Sequence, residues 1–188
     1  MSLDRAIAAI RNREVVGLPT DTVYGIGVDP LSEEAVARLF ELKGRPEHKP
    51  IGLLVASLEQ AEAIGEIEGV AAELAAEHWP GALTLVVSPK VILADWVGDS
   101  QRRTVGLRVP DHPVALELLE AVGPLAVTSA NLSGRSESMS DEDARSVFGD
   151  LVPVYVEGRA PGGEASTVVD VTGFEVVVLR QGPVTLEP

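Results

Sequence analysis

Cysteine is absent from this chain of 188 residues, and histidine occurs only three times. Without cysteine the protein can have no disulfide, no thiolate chemistry and no metal site built on sulfur. His48, His78 and His112 lie far apart and lack the spacing of a zinc site. Cations are scarce as well: 15 Lys and Arg stand against 29 Asp and Glu, a formal net charge of −14. Such a charge opposes broad binding of nucleic acid, so any contact with RNA has to come from a local basic patch.

Long apolar runs are also missing. No stretch approaches the length needed to cross a membrane, and residues 1–5 carry no apolar signal segment. We therefore expect a cytoplasmic protein without a membrane partner. Hydrophobic residues make up 45% of the chain and charged residues 23%, as in globular proteins. Since no linker or repeat divides the sequence, we expect a single domain over residues 1–188.

Apolar periodicity predicts helices in alternation with strands early in the chain, and mainly strands near its end. Helices are predicted at residues 2–12, 32–43, 57–64, 70–78 and 113–121, with a short one ending at Phe148. Strands are predicted at residues 14–18, 51–56, 83–87, 105–109, 125–127, 152–156, 167–171 and 176–179, with another short one within 20–30. Ser2, Ser32 and Ser57 are predicted helix caps. The pattern favours one α/β domain with a twisted, mixed parallel and antiparallel sheet flanked by helices over a purely doubly wound fold.

Three of the scarce cations, Lys43, Arg45 and Lys49, fall close together between a predicted helix and a predicted strand. Glycine and proline interrupt regular structure there, so the cations lie on a loop of constrained backbone. Concentrated positive charge on a stiff loop suits a polyanion such as a triphosphate. The alternative is a solvated helix end, in which Lys43 only complements the helix dipole.

Short polar side chains cluster at the ends of four predicted strands, at residues 20–24, 104–108, 128–131 and 166–167. In α/β sheets ligands bind where strand ends meet loops, and hydroxyls and backbone NH groups there can hold phosphate or carboxylate oxygens. Ordinary structure explains the same patterns: residues 128–131 could form a turn with an Asx cap, and residues 166–167 the approach to a hairpin. Arg180, at the end of the last strand, either clamps an anion or faces water.

Arg108 lies within an apolar strand pattern. If its side chain points inward it needs an anionic partner, because an unpaired buried charge is very costly. If the strand lies at an edge of the sheet, the side chain can instead point outward to water. The pattern alone leaves both arrangements open.

The standard fingerprints of nucleotide binding and of serine hydrolysis are missing. The sequence has no Walker A motif, no GxGxxG and no GxSxG nucleophile elbow. The residues by themselves therefore indicate an anion-binding α/β enzyme without specifying its reaction.

Seven segments carry a resemblance to a known family. They are Leu18-Pro19-Thr20-Asp21-Thr22-Val23-Tyr24-Gly25, Lys43-Gly44-Arg45-Pro46 with Lys49-Pro50, His78-Trp79-Pro80-Gly81-Ala82-Leu83-Thr84, Thr104-Val105-Gly106-Leu107-Arg108-Val109-Pro110, Ser129-Ala130-Asn131-Leu132-Ser133-Gly134, Ser166-Thr167-Val168-Val169-Asp170 and Arg180-Gln181-Gly182. In this order they resemble the YrdC-type threonylcarbamoyl-AMP synthase family in its short single-domain form. The resemblance implies a YrdC-like fold with its ligand cleft on the concave side of the sheet, and no C-terminal extension domain.

The resemblance also implies a reaction, in which L-threonine, bicarbonate and ATP give threonylcarbamoyl-AMP and pyrophosphate. This is the reaction of a nucleotidyltransferase, and it would serve the N6-threonylcarbamoyladenosine modification of tRNA. The product would pass to a tRNA threonylcarbamoyl-transferring complex. Magnesium is expected on the ATP phosphates, with no metal ligand in the protein.

The same resemblance assigns the candidate site residues. Arg45 and Lys49 are the expected catalytic residues, through their contact with the ATP phosphates. ATP binding is expected from Lys43, Arg45, Lys49, Thr104, Ser129, Asn131 and Arg180. Threonine binding is expected from Thr22, Arg108 and Ser166, with Arg108 on the carboxylate.

Two positions depart from the family pattern. Leu54 stands where some relatives carry a histidine near threonine, and Gln181 stands where Pro or Glu is common. Two other hypotheses remain open: a module of the same fold that binds double-helical RNA weakly, and a paralogue that transfers carbamoyl to another amine. Steep loss of binding with salt would mark the RNA module. The polar residues 135–143 are predicted to form a mobile flap.

Overall fold

The computed structural model describes residues 3–44, 50–94 and 96–186, which form helices around one sheet. The helices are α1 Leu3–Arg11, α2 Glu33–Lys43, α3 Leu58–Ile64, α4 Val70–His78, α5 Pro113–Val122 and α6 Asp141–Phe148. The strands are β1 Val16–Leu18, β2 Gly25–Val28, β3 Gly52–Leu54, β4 Leu83–Val87, β5 Val105–Arg108, β6 Leu125–Ser129, β7 Val154–Tyr155, β8 Thr167–Asp170 and β9 Val177–Arg180. Within these ranges, no helix combines the length and apolarity that crossing a membrane requires.

The sheet is mixed, which confirms the predicted fold class. Its strands follow the order β7-β1-β2-β6-β3-β5-β4-β8-β9. Three neighbouring pairs are parallel, namely β1 with β7, β3 with β5 and β4 with β8. The remaining neighbours are antiparallel. Because β5 lies between β3 and β4, it is an inner strand, and this rules out the edge position considered for Arg108.

Serine residues begin two of the predicted helices. The Ser32 side chain accepts a hydrogen bond from the backbone N of Ala35, and that of Ser57 accepts one from Gln60. Both contacts are N-caps, as the sequence predicted. Gly44 ends α2 in the left-handed region, with φ of 57°, which only glycine adopts at little cost. The helix therefore stops immediately before residues 45–49, which lie outside the described ranges.

Two apolar cores pack on opposite faces of the sheet, since neighbouring residues of one strand belong to different cores. Leu53 of β3 packs in the larger core and Leu54 in the smaller one. Helices α2, α3, α4 and α6 cover the larger core, whereas α1 and α5 cover the smaller one. The smaller core extends over β7, β1 and β6 and reaches β3. The other half of that face, over β5, β4 and β8, carries no helix among the described residues.

Residues 138–143 are held by contacts, contrary to the mobile flap predicted over residues 135–143. Ser138 and Ser140 are buried, and the backbone oxygen of Ser138 accepts a hydrogen bond from Tyr24 N at 2.9 Å. Ser140 caps α6 by accepting from Asp143 N. The prediction is wrong for residues 138–143, because buried serines join this segment to Tyr24, the residue before β2, and to the start of α6.

Candidate functional site

A cavity of about 310 Å³ lies on the uncovered half of the sheet. Its floor comes from alternate strand residues whose neighbours point into the larger core, for example Thr84 and Val86 on β4. Gly52 and Gly106 expose the backbone at its centre: a Cβ built on Gly52 would lie 3.1 Å from the Gly106 carbonyl oxygen. The size falls within the usual range for small-molecule sites, roughly 300–1,000 Å³.

Arg108, at the end of β5, points into this cavity and is only 5% exposed. Its Nη2 donates to Asp21 Oδ1 at 2.8 Å, and its Nη1 donates to Thr22 Oγ1 at 2.9 Å. The anionic partner that a buried arginine requires is therefore a carboxylate of the chain itself. Burial lowers the pKa of the Arg108 guanidinium, the Asp21 charge opposes that shift, and the Arg180 charge lowers it further.

Among the described residues, the Nε of Arg108 has no hydrogen-bond partner. The atom is itself buried. Buried polar groups in folded proteins nearly always have a partner, so one without a partner calls for an explanation. The guanidinium is thus fixed by Asp21 and Thr22 through Nη2 and Nη1, and its buried Nε is left without a partner among the described residues.

Ser166 precedes β8 and joins three groups at the other side of the cavity. Its Oγ lies 2.8 Å from Thr84 Oγ1 and 3.2 Å from Arg180 Nη2. Arg180 Nε also donates to the Ser166 backbone oxygen at 2.9 Å. Glu137 lines the cavity as well, and its charge raises the pKa of Arg180 against the larger lowering by burial. Arg180 is therefore fixed at the cavity by Ser166, although the residue as a whole is exposed.

Lys43, the last residue of α2, is buried beneath the end of β6. Its Nζ donates to the Ser129 backbone oxygen at 2.5 Å, to Ser129 Oγ at 3.1 Å and to Asn131 Oδ1. Ser129 Oγ donates to Asn131 Oδ1 at 2.8 Å. The end of α2 is thus buried. This contradicts the interpretation of Lys43 as a residue at a solvated helix end. The turn at 128–131 is held in shape by a buried lysine.

A tight turn at residues 99–104 forms a further wall of the cavity. The backbones of Asp99 and Thr104 pair in both directions, at 2.7 and 3.0 Å. Arg102 reaches from this turn to β8, where its Nη2 lies 2.6 Å from Asp170 Oδ2. The ion pair fixes the turn to the sheet beside the cavity.

The structure brings most of the predicted site residues to one place. Those that line the cavity are Thr22, Thr104, Arg108, Ser129, Ser166 and Arg180. Lys43 and Asn131 lie behind Ser129, so their assignment to ATP stays a prediction. Arg45 and Lys49 lie outside the described residues, and their assignment also stays a prediction.

Sequence reasoning missed the roles of Asp21, Thr84 and Glu137. Thr84 had a readable signal, since it is the polar residue between Leu83 and Leu85 in an otherwise apolar strand. The pairing of Asp21 with Arg108 had none, because 87 positions separate the two residues. Among the described residues, no three His, Asp or Glu side chains come together as a metal site would need.

Comparison with known sequences gives consistent matches. The family model Sua5_yciO_yrdC, described as "Telomere recombination", matches residues 8–182. A Mycobacterium tuberculosis protein is 47% identical over 184 residues, which is 97% of this chain and 84% of that protein. The threonylcarbamoyl-AMP synthase of Pyrococcus abyssi is 40% identical over 185 residues, 97% of this chain and 54% of that protein. This chain thus spans about half the length of the P. abyssi protein.

Solved structures match over nearly the whole chain. P. abyssi Sua5 in complex with L-threonine superposes with a TM-score of 0.90 and 37% identity, covering 96% of this chain and 54% of that one. Escherichia coli YciO gives a TM-score of 0.88 with 27% identity, covering 96% of this chain and 88% of that one. Both share the mixed α/β fold described above.

Proposed function

The chain belongs to the Sua5/YciO/YrdC family, and from this premise we propose that it is a threonylcarbamoyl-AMP synthase. It takes L-threonine, bicarbonate and ATP and releases threonylcarbamoyl-AMP and pyrophosphate. The enzyme is a transferase, and we assign it to the nucleotidyltransferases because AMP is the group transferred. The proposal is supported by relatives that bear this name and by a family member crystallised with L-threonine.

The observation that carries the proposal is Arg108, which lines the cavity and whose buried Nε has no hydrogen-bond partner among the described residues. A carboxylate at Nε would receive a charge-assisted hydrogen bond from a guanidinium already fixed by Asp21 and Thr22. We assign the threonine carboxylate to this position, with the Ser166 hydroxyl and Thr22 completing the threonine subsite. The carboxylate of L-threonine would be the acceptor that the Nε of Arg108 lacks.

ATP is assigned to the remainder of the cleft. Thr104, Ser129 and Arg180 line it, while Lys43 and Asn131 hold the Ser129 turn in place. Arg45 and Lys49 are assigned to the phosphates because the loop that carries them follows α2 directly. Magnesium is assigned to the ATP phosphates, where oxygens of the substrate would supply most of its ligands.

The chemistry requires positioning and charge neutralisation, and no protein nucleophile. The threonine amine attacks bicarbonate to give the carbamate, with loss of water. A carbamate oxygen then attacks the α-phosphorus, the bond to the β-phosphate oxygen breaks, and pyrophosphate leaves. Cations around the phosphates stabilise the charge that develops on the leaving group. Holding the carbamate in line with the α-phosphorus supplies the remaining gain in rate.

The place of this reaction in the cell forms part of the same proposal. Threonylcarbamoyl-AMP is a reactive mixed anhydride, so a second enzyme must consume it, and we assign that step to a tRNA threonylcarbamoyl-transferring complex in the cytoplasm. The net charge of −14 opposes strong direct contact with RNA, so only a weak contact is expected.

The test is pyrophosphate release from ATP with bicarbonate, measured with and without L-threonine. We expect release that depends on threonine, falls with L-serine and is lost in Lys49→Ala. Lys49→Ala is expected to weaken ATP binding and Arg108→Ala threonine binding, each by roughly 1.5–3 kcal/mol, or one to two decades. Equal effects of both changes on both ligands would contradict the assigned subsites.

A paralogue with another amine substrate is the second candidate, and one observation favours it. Leu54 lines the cavity at the position where some relatives carry a histidine, so this wall is apolar here. ATP binding without threonine-dependent pyrophosphate release would support the paralogue and overturn the synthase. Absence of both ATP binding and turnover would favour the RNA-binding hypothesis.

A further inference from the structure

The charge balance around Arg108 bears on which molecules its subsite accepts. The side chains of Arg108 and Asp21 are only 6% and 13% exposed, and they form an ion pair at 2.8 Å. Thr20 and Thr22 line the cavity, while Asp21 between them does not belong to its described lining. Asp21 therefore lies behind the wall and acts on a ligand through Arg108.

A ligand that enters this subsite meets a pair whose charges already cancel. A simple anion would leave one uncompensated negative charge in a buried place, which is costly. A zwitterion adds no net charge, because its ammonium group balances its carboxylate. The buried pair thus favours a zwitterion over an anion that carries the same carboxylate.

Neighbouring charges do not remove this balance. Arg180 is the other cation whose charge acts on Arg108, and Glu137 is the carboxylate whose charge acts on Arg180. Arg102, on the far wall, is paired with Asp170. Among the described residues at the cavity, three are arginines: Arg102, Arg108 and Arg180. Each of them therefore has a carboxylate of the chain nearby.

We infer that Asp21 is a specificity-determining residue that restricts the threonine subsite to zwitterionic amino acids and rejects simple carboxylates and inorganic anions. The inference rests on the proposed function, because it names the selectivity of that site. Its consequence is a division of the cleft by charge, in which ATP and bicarbonate are kept from the position of the threonine carboxylate at Arg108. Asp21 acts here as a positioning and charge-setting residue and takes no part in bond formation.

The experiment compares two ligands that differ only in the amino group. Binding of L-threonine and of (R)-3-hydroxybutyrate is measured by isothermal titration calorimetry for wild type, Asp21→Asn and Asp21→Glu. Asp21→Asn keeps the size and one acceptor oxygen but removes the charge, so its preference for threonine over hydroxybutyrate should fall about tenfold or more. Asp21→Glu keeps the charge and should keep that preference within about threefold of wild type.

The outcomes separate the inference from the function on which it rests. An unchanged preference in Asp21→Asn, or an equal fall in Asp21→Glu, overturns the inference, since charge would not then be the cause. If circular dichroism shows that Asp21→Asn does not fold, the wild-type comparison decides: hydroxybutyrate affinity within tenfold of threonine overturns the inference. Wild-type protein that fails to bind L-threonine refutes the proposed function and the inference with it.

Discussion

Buried cations in this molecule are matched by groups of the chain itself. Arg108 has Asp21 and Thr22, and Lys43 has Ser129 and Asn131. Removing one member of a buried ion pair costs more than the pair contributes, because the remaining charge stays behind in a place without water. Substitution at Arg108 or Asp21 is therefore expected to change stability as well as binding, so both have to be measured.

At the scale of single residues, Asp170 predicts how the stability of the protein changes in acid. Burial raises the pKa of Asp170, but hydrogen bonds from Thr172 and Arg102 outweigh it and lower the pKa below the ordinary value of 3.8. A carboxyl with a lowered pKa in the folded state stabilises the protein above its unfolded pKa, and that contribution is lost as the pH falls through the folded pKa. Asp170→Asn should thus cost about 1–3 kcal/mol at pH 7 and progressively less below pH ~4.

Urea unfolding of wild type and Asp170→Asn at pH 7 and pH 3 measures this difference. Asp150→Asn serves as the matched control, because Asp150 is exposed and the same loss of charge there removes no buried contact. A stability difference between wild type and Asp170→Asn that is as large at pH 3 as at pH 7 would argue against the assignment.

At the scale of single elements, the two strands β3 and β5 beneath the cavity each carry a glycine there, Gly52 and Gly106. Gly52→Ala places a methyl group 3.1 Å from the Gly106 carbonyl oxygen, which belongs to the neighbouring strand and cannot turn aside. The alanine lowers the conformational entropy of the unfolded chain, which would stabilise the folded state by about 0.4–1 kcal/mol. Overpacking against the carbonyl oxygen costs about 1–3 kcal/mol. We expect net destabilisation and weaker binding of ATP and threonine, because the methyl group also narrows the cavity.

Thermal unfolding and ligand titration of Gly52→Ala test this expectation against Gly173→Ala. A methyl group on Gly173 meets only the Glu175 oxygen, at 4.0 Å, so that change should be nearly neutral. Gly52→Ala with wild-type affinity for both ligands would show that the floor of the cavity does not contact them.

The elements themselves were largely predictable from sequence, and their arrangement was not. Helix α4 and strand β4 have the predicted bounds, because local periodicity and the flanking proline and glycine define them. Pairings such as Val16 with Val154 join residues that no local pattern connects. The site divides in the same way: strand-end hydroxyls were readable as candidates, whereas the burial of Arg108 needed the position of β5 within the sheet.

The whole molecule carries a net charge of −14, and its self-repulsion opposes the folded state. Salt screens this repulsion, because the Debye length shrinks from about 30 Å at 0.01 M to about 8 Å at 0.15 M. Added salt should therefore raise the melting temperature by a few degrees, about 2–4 °C for each kcal/mol gained in the free energy of unfolding. Scanning calorimetry in sodium chloride measures it, with choline chloride as the control for specific ion binding. A melting temperature that falls with both salts would contradict the expectation.

The order of the strands also determines at which stage of synthesis the ligand cleft is complete. The edge strand β7 and the strands β8 and β9 at the opposite edge all come from the last third of the sequence. During synthesis from the N-terminus, β1 and β4 therefore wait for neighbours that have not yet been made. Ser166 and Arg180 arrive with those late strands, so a nascent chain gains its ligand cleft only after residue 180 has been made. Folding of this sheet is correspondingly expected to be slow, because it depends on contacts between distant parts of the chain.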